Sequence, residues 1–401
     1  MIHSKMVLPR IFSWNNDRNP EQCDRVQELT GDLTLNKEKQ YEIGRDGILG
    51  YKKNVPTFSY SMRQFEFGSM DFWYDLANVE NPGSGDDHYI DLDDIKTTYS
   101  DIAAFLTDDN NTFKGTIWFP KLRVNGFSIN IGDPDAIVER SFDLVGEDYR
   151  ILDGKYFAFQ KKTASGATET VVLSPVPVEY AAAKYIFRVL RVRGGAVSEI
   201  AEGSGANTYT FTGPASVEVR GCVALDIIKI YYESSTAYTT LWTNNDSDVD
   251  FLTADSCEIF MKVGTSTRIY KLQSVGIDVS FERTDYKEIG NSEVVQTGVK
   301  SKTVTVNLNR FVEDNSLEDI LAGDTTYPYI NPRDFVENIQ LMVKVYSDKT
   351  HTTFKMGYLM NNLTPTTLNT TQAVEDYNSR TNAIECDNLK ISSEESEIVF
   401  A

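Results

Sequence analysis

The stretch from Val26 to Phe65 is matched without a gap by Leu272 to Phe311, at a constant separation of 246 residues. Identical pairs include Gln27/Gln273, Asp32/Asp278, Glu42/Glu288, Ile43/Ile289, Gly44/Gly290, Thr57/Thr303 and Phe65/Phe311. Alternation carries more weight than identity. Leu29, Leu33 and Leu35 stand opposite Val275, Val279 and Phe281, and Phe58, Tyr60 and Met62 stand opposite Val304, Val306 and Leu308. Apolar residues at every second position, with mostly polar ones between, make a strand with one buried and one wet face. An internal repeat of this kind constrains the fold before anything else does.

Later parts of the copies correspond as well. Ser141-FDLVGEDYRI, ending at Ile151, answers Thr381-NAIECDNLKI, ending at Ile391, and both read as alternating strands. Before them lie a strand-and-turn stretch from Leu122 to Ile131 and its counterpart from Tyr358 to Leu368. Each copy therefore predicts a strand, a long loop, a strand, a short helix and two more strands. The helices are expected at Asp71-FWYDLAN, capped by Ser69, and at Leu317-EDILAG, capped by Asn315 or Ser316 and stopped by Gly323. Long loops are expected between Tyr41 and Thr57 and between Glu288 and Thr303, because their central residues are charged, small or polar.

Residues 155–250 belong to neither copy. Tyr185-IFRVLRV, Tyr209-TFTG, Ser216-VEVRG and Asp226-IIKIYY are short β-branched and aromatic runs broken by glycine. They read as a small inserted all-β unit or as an elaborate linker. The expected division is 1–154 and 251–401 for the repeated β domains, with 155–250 between them. Each repeated domain is expected to be a β-barrel or sandwich with a short flanking helix, so the chain as a whole is expected to be mainly β.

A formal charge of -20 argues against nucleic-acid and anionic-membrane binding, since both partners are anionic. It suits first an ordinary acidic protein, and also a surface past which DNA slides without sticking. Cys23, Cys222, Cys257 and Cys386 are scattered and form no CxxC pair, so neither a zinc site nor a disulfide framework is expected. No apolar run is long enough to span a membrane, and the first residues lack the core of a signal peptide. Synthesis and assembly inside a cell are expected.

Catalytic constellations are poorly represented. His3, His88 and His351 lie far apart in sequence, without HExxH spacing or a GxSxG turn to present a serine. The run from Asp86 to Asp94 offers spaced carboxylates but lacks the order of a calcium loop, and reads as an acidic solvated loop. No cofactor, metal or catalytic residue is expected, and the chain is not expected to be an enzyme.

Tyr41-EIGRDGILGYKKNVPTFSYSMRQFE resembles the strand, long loop and strand of tail tube proteins of long-tailed phages and related viruses. Lys121-LRVNGFSINI followed by Val138-ERSFDLVGED resembles the closing hairpin of the same domain. The second copy repeats the pattern from Leu272-QSVGIDVSFERTDYKEIG to Met360-NNLTPTTLNTTQAVEDYNS. The resemblance implies inner strands that pair between subunits into one barrel around a lumen. The strands carrying Phe58, Tyr60, Met62, Val304, Val306 and Leu308 would build that wall. Loops bearing Arg45, Asp46, Lys52, Lys53, Glu293 and Lys300 would reach the adjacent ring. Two fused domains imply trimeric, pseudo-sixfold rings stacked in a virion tail and assembled in the host cytoplasm. The implied partners are other copies, a tape measure protein inside, terminator and distal proteins at the ends, and DNA passing without specific binding. Alternatives are another tail component, such as a distal or hub protein or the inner tube of a contractile injection system, and a β-rich binding module.

Overall fold

The computed structural model describes residues 7–400, except 16, 35–36, 42–47, 49, 54–56, 78, 80–87, 109–111, 147, 181–182, 185, 237–250, 264, 270–271, 287–295, 312–315, 323–334 and 372–378. The described residues are mainly β, with 64% strand and 7% helix.

The first half contains β1 (Val7–Ser13), β2 (Glu21–Gln22), β3 (Val26–Thr34), β4 (Lys37–Gln40), β5 (Gly50–Lys53) and β6 (Thr57–Phe65). After α1 (Asp71–Leu76) come β7 (Tyr89–Asp91), α2 (Leu92–Ile95), β8 (Ser100–Thr107), β9 (Phe113–Ile131), β10 (Glu139–Gly146) and β11 (Arg150–Asp153). The middle segment holds β12 (Tyr156–Thr163), β13 (Thr168–Val172), β14 (Glu179–Tyr180), β15 (Ala183–Lys184) and β16 (Ile186–Arg193). It continues with β17 (Ala196–Glu199), β18 (Ala201–Glu202), β19 (Thr208–Gly213), β20 (Ser216–Arg220) and β21 (Ile227–Ser234). The second half contains β22 (Cys257–Val263), β23 (Thr265–Arg268), β24 (Leu272–Tyr286), β25 (Gln296–Phe311) and α3 (Ser316–Ala322). It closes with β26 (Ile339–Tyr346), β27 (Phe354–Thr371), β28 (Ser379–Cys386) and β29 (Lys390–Ser392).

Each half is a pair of sheets facing across a core. In the first half β3, β6, β10 and the end of β9 form one sheet, and β2, β1, β8, the start of β9 and β11 form the other. β9 serves both sheets because it bends at Lys121, where φ is 53°. In the second half β27 does the same and bends at Asn362, where φ is 57°. Among the described residues no sheet closes into a barrel.

Pairing registers coincide between the halves. Leu29 faces Met62 and Leu33 faces Phe58, while Val275 faces Leu308 and Val279 faces Val304, each residue 246 positions on. Both hairpins shift register at the same place, between Val26/Glu28 and between Leu272/Ser274. Likewise β10 shifts against β9 at Asp143/Leu144, and β28 shifts against β27 at Ala383/Ile384. A bulge inserts one residue and re-aims the strand, so a shared bulge is a more specific likeness than shared alternation.

The middle segment forms two facing sheets, β12–β21–β16–β17 and β13–β20–β19–β18. Val171, Val189, Val217, Val219, Ile228 and Ile230 fill the space between them. The outer side of the first of these sheets lies on the first half, where Phe157, Phe159, Leu190 and Tyr231 meet Phe12, Trp14, Phe105 and Trp118. β8 is therefore buried on both faces, which explains its nearly continuous apolar sequence. The corresponding outer face of the second half is covered instead by the C-terminal residues, with Ile398 and Phe400 on Met342, Leu359 and Phe260.

Five sequence expectations need correction. The expected loop between Glu288 and Thr303 is strand from Gln296 onward, where β25 pairs with β24 out to Tyr286, and residues 288–295 lie outside the described residues. The first loop is likewise extended by the β4–β5 ribbon, out to Gln40 and Gly50. β4 is exposed throughout and so has no apolar face to announce it. The expected single closing strands are split: β10 and β11, like β28 and β29, lie in different sheets. The expected acidic loop from Asp86 to Asp94 instead contributes β7 and the start of α2 from residue 88 onward. Finally, Met70 occupies the N-cap of α1, with Ser69 Oγ accepting from the Asp71 amide at 3.2 Å, and Ser316 lies inside α3. Asn315 and Gly323 lie outside the described residues.

Candidate assembly surface

The two halves join edge to edge. β9 pairs with β24 from Ile131↔Val275 to Gly126↔Ser280. This merges the inner sheets into one run, β3–β6–β10–β9–β24–β25–β28–β27. Arg283 locks the seam by donating to the carbonyls of Val124 (3.1 Å) and Lys96 (2.9 Å). Lys302 of the second half meets Asp93 of the first at 2.6 Å, and this pairing holds the Asp93 carboxyl below its ordinary range. The outer layers also cross over: β7 of the first half pairs with β29 of the second, Ile90 opposite Ile391.

One face of the inner sheet is core. Phe58, Tyr60, Met62, Val304, Val306 and Leu308 all point into it, and each is at most 1% exposed. The opposite face is wet, small and acidic. Ser59 and Ser61 are exposed between the core residues of β6, and Glu28, Asp32, Asp143 and Asp278 are exposed on the same side. Arg63 on that face is held between Glu28 (3.7 Å) and Glu139 (3.3 Å). A sheet surface of this kind offers no cationic platform for phosphates and no aromatic face for bases.

The sheet ends in two edges. β3 pairs only with β6, and residues 364–371 of β27 pair only with β28, among the described residues. Burial reports the difference that a neighbour makes. Leu29 and Leu33 at the β3 edge are half-buried, whereas their counterparts Val275 and Val279, covered by β9, are 1% and 4% exposed. Leu368 on β27 is half-buried, whereas its counterpart Phe127 is 3% exposed. Long unprotected edges template further pairing.

The residues expected to reach an adjacent ring lie on the two ribbons. Lys52 and Lys53 are in β5, and Lys300 is in β25, where it pairs with Glu282 across the ribbon at 2.7 Å. Arg45, Asp46 and Glu293 lie outside the described residues. The sequence did not single out Arg283, and it read Tyr89–Asp91 and Asp93 as part of an acidic solvated loop, whereas all of them make the junction between halves. Their signal is positional: each lies in a segment that only the partner half completes.

Chemistry-bearing clusters are structural in the described residues. Asp94 caps its own helix from the Asp91 amide at 3.0 Å. His351 lies beside Glu258 at 3.4 Å in a turn organised by Asp348, and His88 precedes β7. Threonine hydroxyls and amides around Asp348 hold its carboxyl down to about 2. Burial pushes the Cys257 thiol up to about 12 and the Cys386 thiol up to about 11. No group of His, Cys, Asp and Glu among the described residues is arranged to hold a metal ion, and no helix among them is long and apolar enough to cross a membrane. No protein-family model matches the chain, and no curated protein sequence does.

Proposed function

We propose that this chain is a structural protein of a viral tail, polymerising into stacked rings that form the wall of a tube for DNA. The observation that carries the reading is the pairing of β9 with β24. It joins two equivalent sheets inside one chain and leaves outside it the same two kinds of edge. Each β3 residue has its counterpart in β24 246 positions on, and residues 123–130 of β9 have theirs in β27 241 positions on. Repeating the internal junction between copies sets Thr371 opposite Thr30, Thr370 opposite Gly31, Asn369 opposite Asp32 and Leu368 opposite Leu33. Thr367 replaces Gly126, whose close approach to a carbonyl leaves no room for a Cβ, so the pairing ends at Leu368.

This contact is head-to-tail, and repeated head-to-tail contacts generate a ring when the rotation closes. Ring closure removes every edge of the inner sheet. Three chains would supply six equivalent sheets, in keeping with the resemblance to fused tube domains. The acidic, small-residue face then lines the lumen and repels a DNA backbone instead of holding it. The ribbons β4–β5 and β24–β25 project toward the next ring, and the middle unit, packed on the outer sheet, decorates the outside. A tape measure protein within the lumen and terminator or distal proteins at the ends complete the expected partners. Catalysis has no place in this role.

The test combines mass in solution, negative-stain microscopy and a cross-link. Asp32→Cys with Asn369→Cys should join copies into covalent trimers on oxidation, in a sample showing rings or hollow tubes. A monomer at all concentrations, without this cross-link, overturns the proposal. Isolated rings that never stack would favour a terminator, distal or hub component over the tube wall.

A further inference from the structure

An apolar groove of about 370 Å³ opens at the outer end of the β3 edge. Leu29, Phe58, Tyr60, Phe119, Tyr149 and Ile151 line it. Ile151 is 66% exposed, an unusual position for a large aliphatic side chain on a free strand edge. β11, which carries it, pairs only with β9 among the described residues.

Corresponding positions in the second half show what a filled groove looks like. Val275, Val304, Val306, Met360, Leu389 and Ile391 take the places of those residues, and each is at most 1% exposed. The cover is supplied by the first half of the same chain. Tyr89–Asp91 adds to the free edge of β29, with Ile90 opposite Ile391 and Asp91 opposite Lys390. Leu92 and Ile95 of α2 join the same core. Lys390 Nζ sits 3.6 Å from the Tyr89 ring centroid, and Ser392 Oγ donates to the His88 carbonyl.

The sequence repeats this covering segment. Tyr89-Ile90-Asp91 recurs as Tyr329-Ile330-Asn331, 240 positions on, the separation that relates β11 to β29. Residues 329–331 lie outside the described residues.

We infer that the groove beside β11 is a docking site for a second copy of this chain, which adds its Tyr329-Ile330-Asn331 to the β11 edge. The register follows from the internal example: Ile330 opposite Ile151, Asn331 opposite Arg150 and Tyr329 opposite Leu152. Main-chain hydrogen bonds would give affinity, and Ile330 over the groove would give specificity, as in other strand-addition complexes. This inference rests on the ring reading and adds a second contact to it, in the outer layer. The groove is continuous with the β3 edge through Leu29, so one neighbouring copy reaches both.

The experiment uses the full chain carrying Ile151→Cys and Ile330→Cys, treated with an oxidant or a short bismaleimide. Ile90→Cys with Ile391→Cys, the equivalent pair inside one chain, is the positive control. Intermolecular cross-linking of the 151/330 pair, absent from either single variant, is the expected result. Rings that cross-link through Asp32→Cys/Asn369→Cys but not through 151/330 overturn the groove and leave the ring reading intact. Failure of both pairs in a monomeric sample overturns both. As an independent measure, Ile151→Asp should raise the concentration needed for assembly by about tenfold or more, a loss expected when a charge blocks one buried aliphatic contact. An unchanged threshold for a folded Ile151→Asp variant counts against the groove.

Discussion

Gly126 approaches Val279 so closely that a Cβ placed on it would stand 2.6 Å from the Val279 carbonyl oxygen. That approach lies on the seam between β9 and β24, so the residue is glycine because a neighbouring backbone occupies the space of a side chain. Gly126→Ala is expected to destabilise the chain by about 1–3 kcal/mol, the usual cost of overpacking, and Gly126→Val by more. Denaturant melts give the magnitude. Hydrogen exchange should locate the loss in β24 amides opposite Gly126, and an unchanged exchange pattern there would contradict the assignment.

Arg140 and Glu66 meet at 3.2 Å with neither side chain reaching solvent. Gln64 Oε1 accepts from Arg140 Nε at 3.1 Å, and the Tyr358 hydroxyl of the second half donates to Glu66 at 3.1 Å. Removing one member strands the others. Arg140→Ala is expected to cost about 3–5 kcal/mol, the range for an orphaned buried charge. Tyr358→Phe removes a single hydrogen bond and should cost about 1–2 kcal/mol. Thermal melts of both variants should preserve that order, and a smaller loss for Arg140→Ala would rule the account out.

Asp101 ties the middle unit to the first half. It accepts from Trp14 Nε1 (2.8 Å), Trp118 Nε1 (3.2 Å), the Lys121 amide (2.8 Å) and Arg188 (3.2 Å). Burial raises its carboxyl above the ordinary range, while Arg188 and the N–H donors pull the other way. Arg188 stacks 4.1 Å from the Trp14 ring centroid, so its planar guanidinium serves both neighbours. Arg188→Ala should cost about 2 kcal/mol, and Arg188→Lys should recover only part of it. Limited proteolysis should release the middle unit faster from both variants than from the parent chain.

Within the middle unit, Glu169 is held by Lys162 at 2.6 Å and by the Ser165 amide and hydroxyl at 2.9 Å each. These partners bring its carboxyl down to about 2 from an ordinary value of 4.5. A depressed carboxylate stabilises the fold above its unfolded value and loses that contribution as pH falls toward its folded one. The unit should therefore weaken between pH of about 4.5 and about 2. Glu169→Gln should flatten that part of the profile, as read by melts at stepped pH, and a parallel curve for the variant would exclude Glu169 as the source.

How much was legible depended on what each segment packs against. Residues with core on one side and water on the other, such as Phe58 to Arg63 or Val304 to Asn309, show period-two alternation, and their strands could be read directly. β8 could not, because the core covers one of its faces and the middle unit the other, which erases the alternation. The β4–β5 ribbon could not either, since all of β4 is exposed. Asp91, Asp93 and Asp94 read as solvated acids, but they cap a helix and pair with Lys302 across the seam.

The sequence by itself determined that this is a mainly β chain with a pattern repeated at 246 residues, because alternation and turn residues are local properties. Only the tertiary structure decided that the repeated sheets lie side by side, joined through β9 and β24, with Tyr89–Asp91 covering the other half. Edge pairing is made by backbone groups, which every residue but proline carries alike. Alternation along a strand therefore does not by itself specify which edges meet, and that choice emerges only when the whole chain is packed.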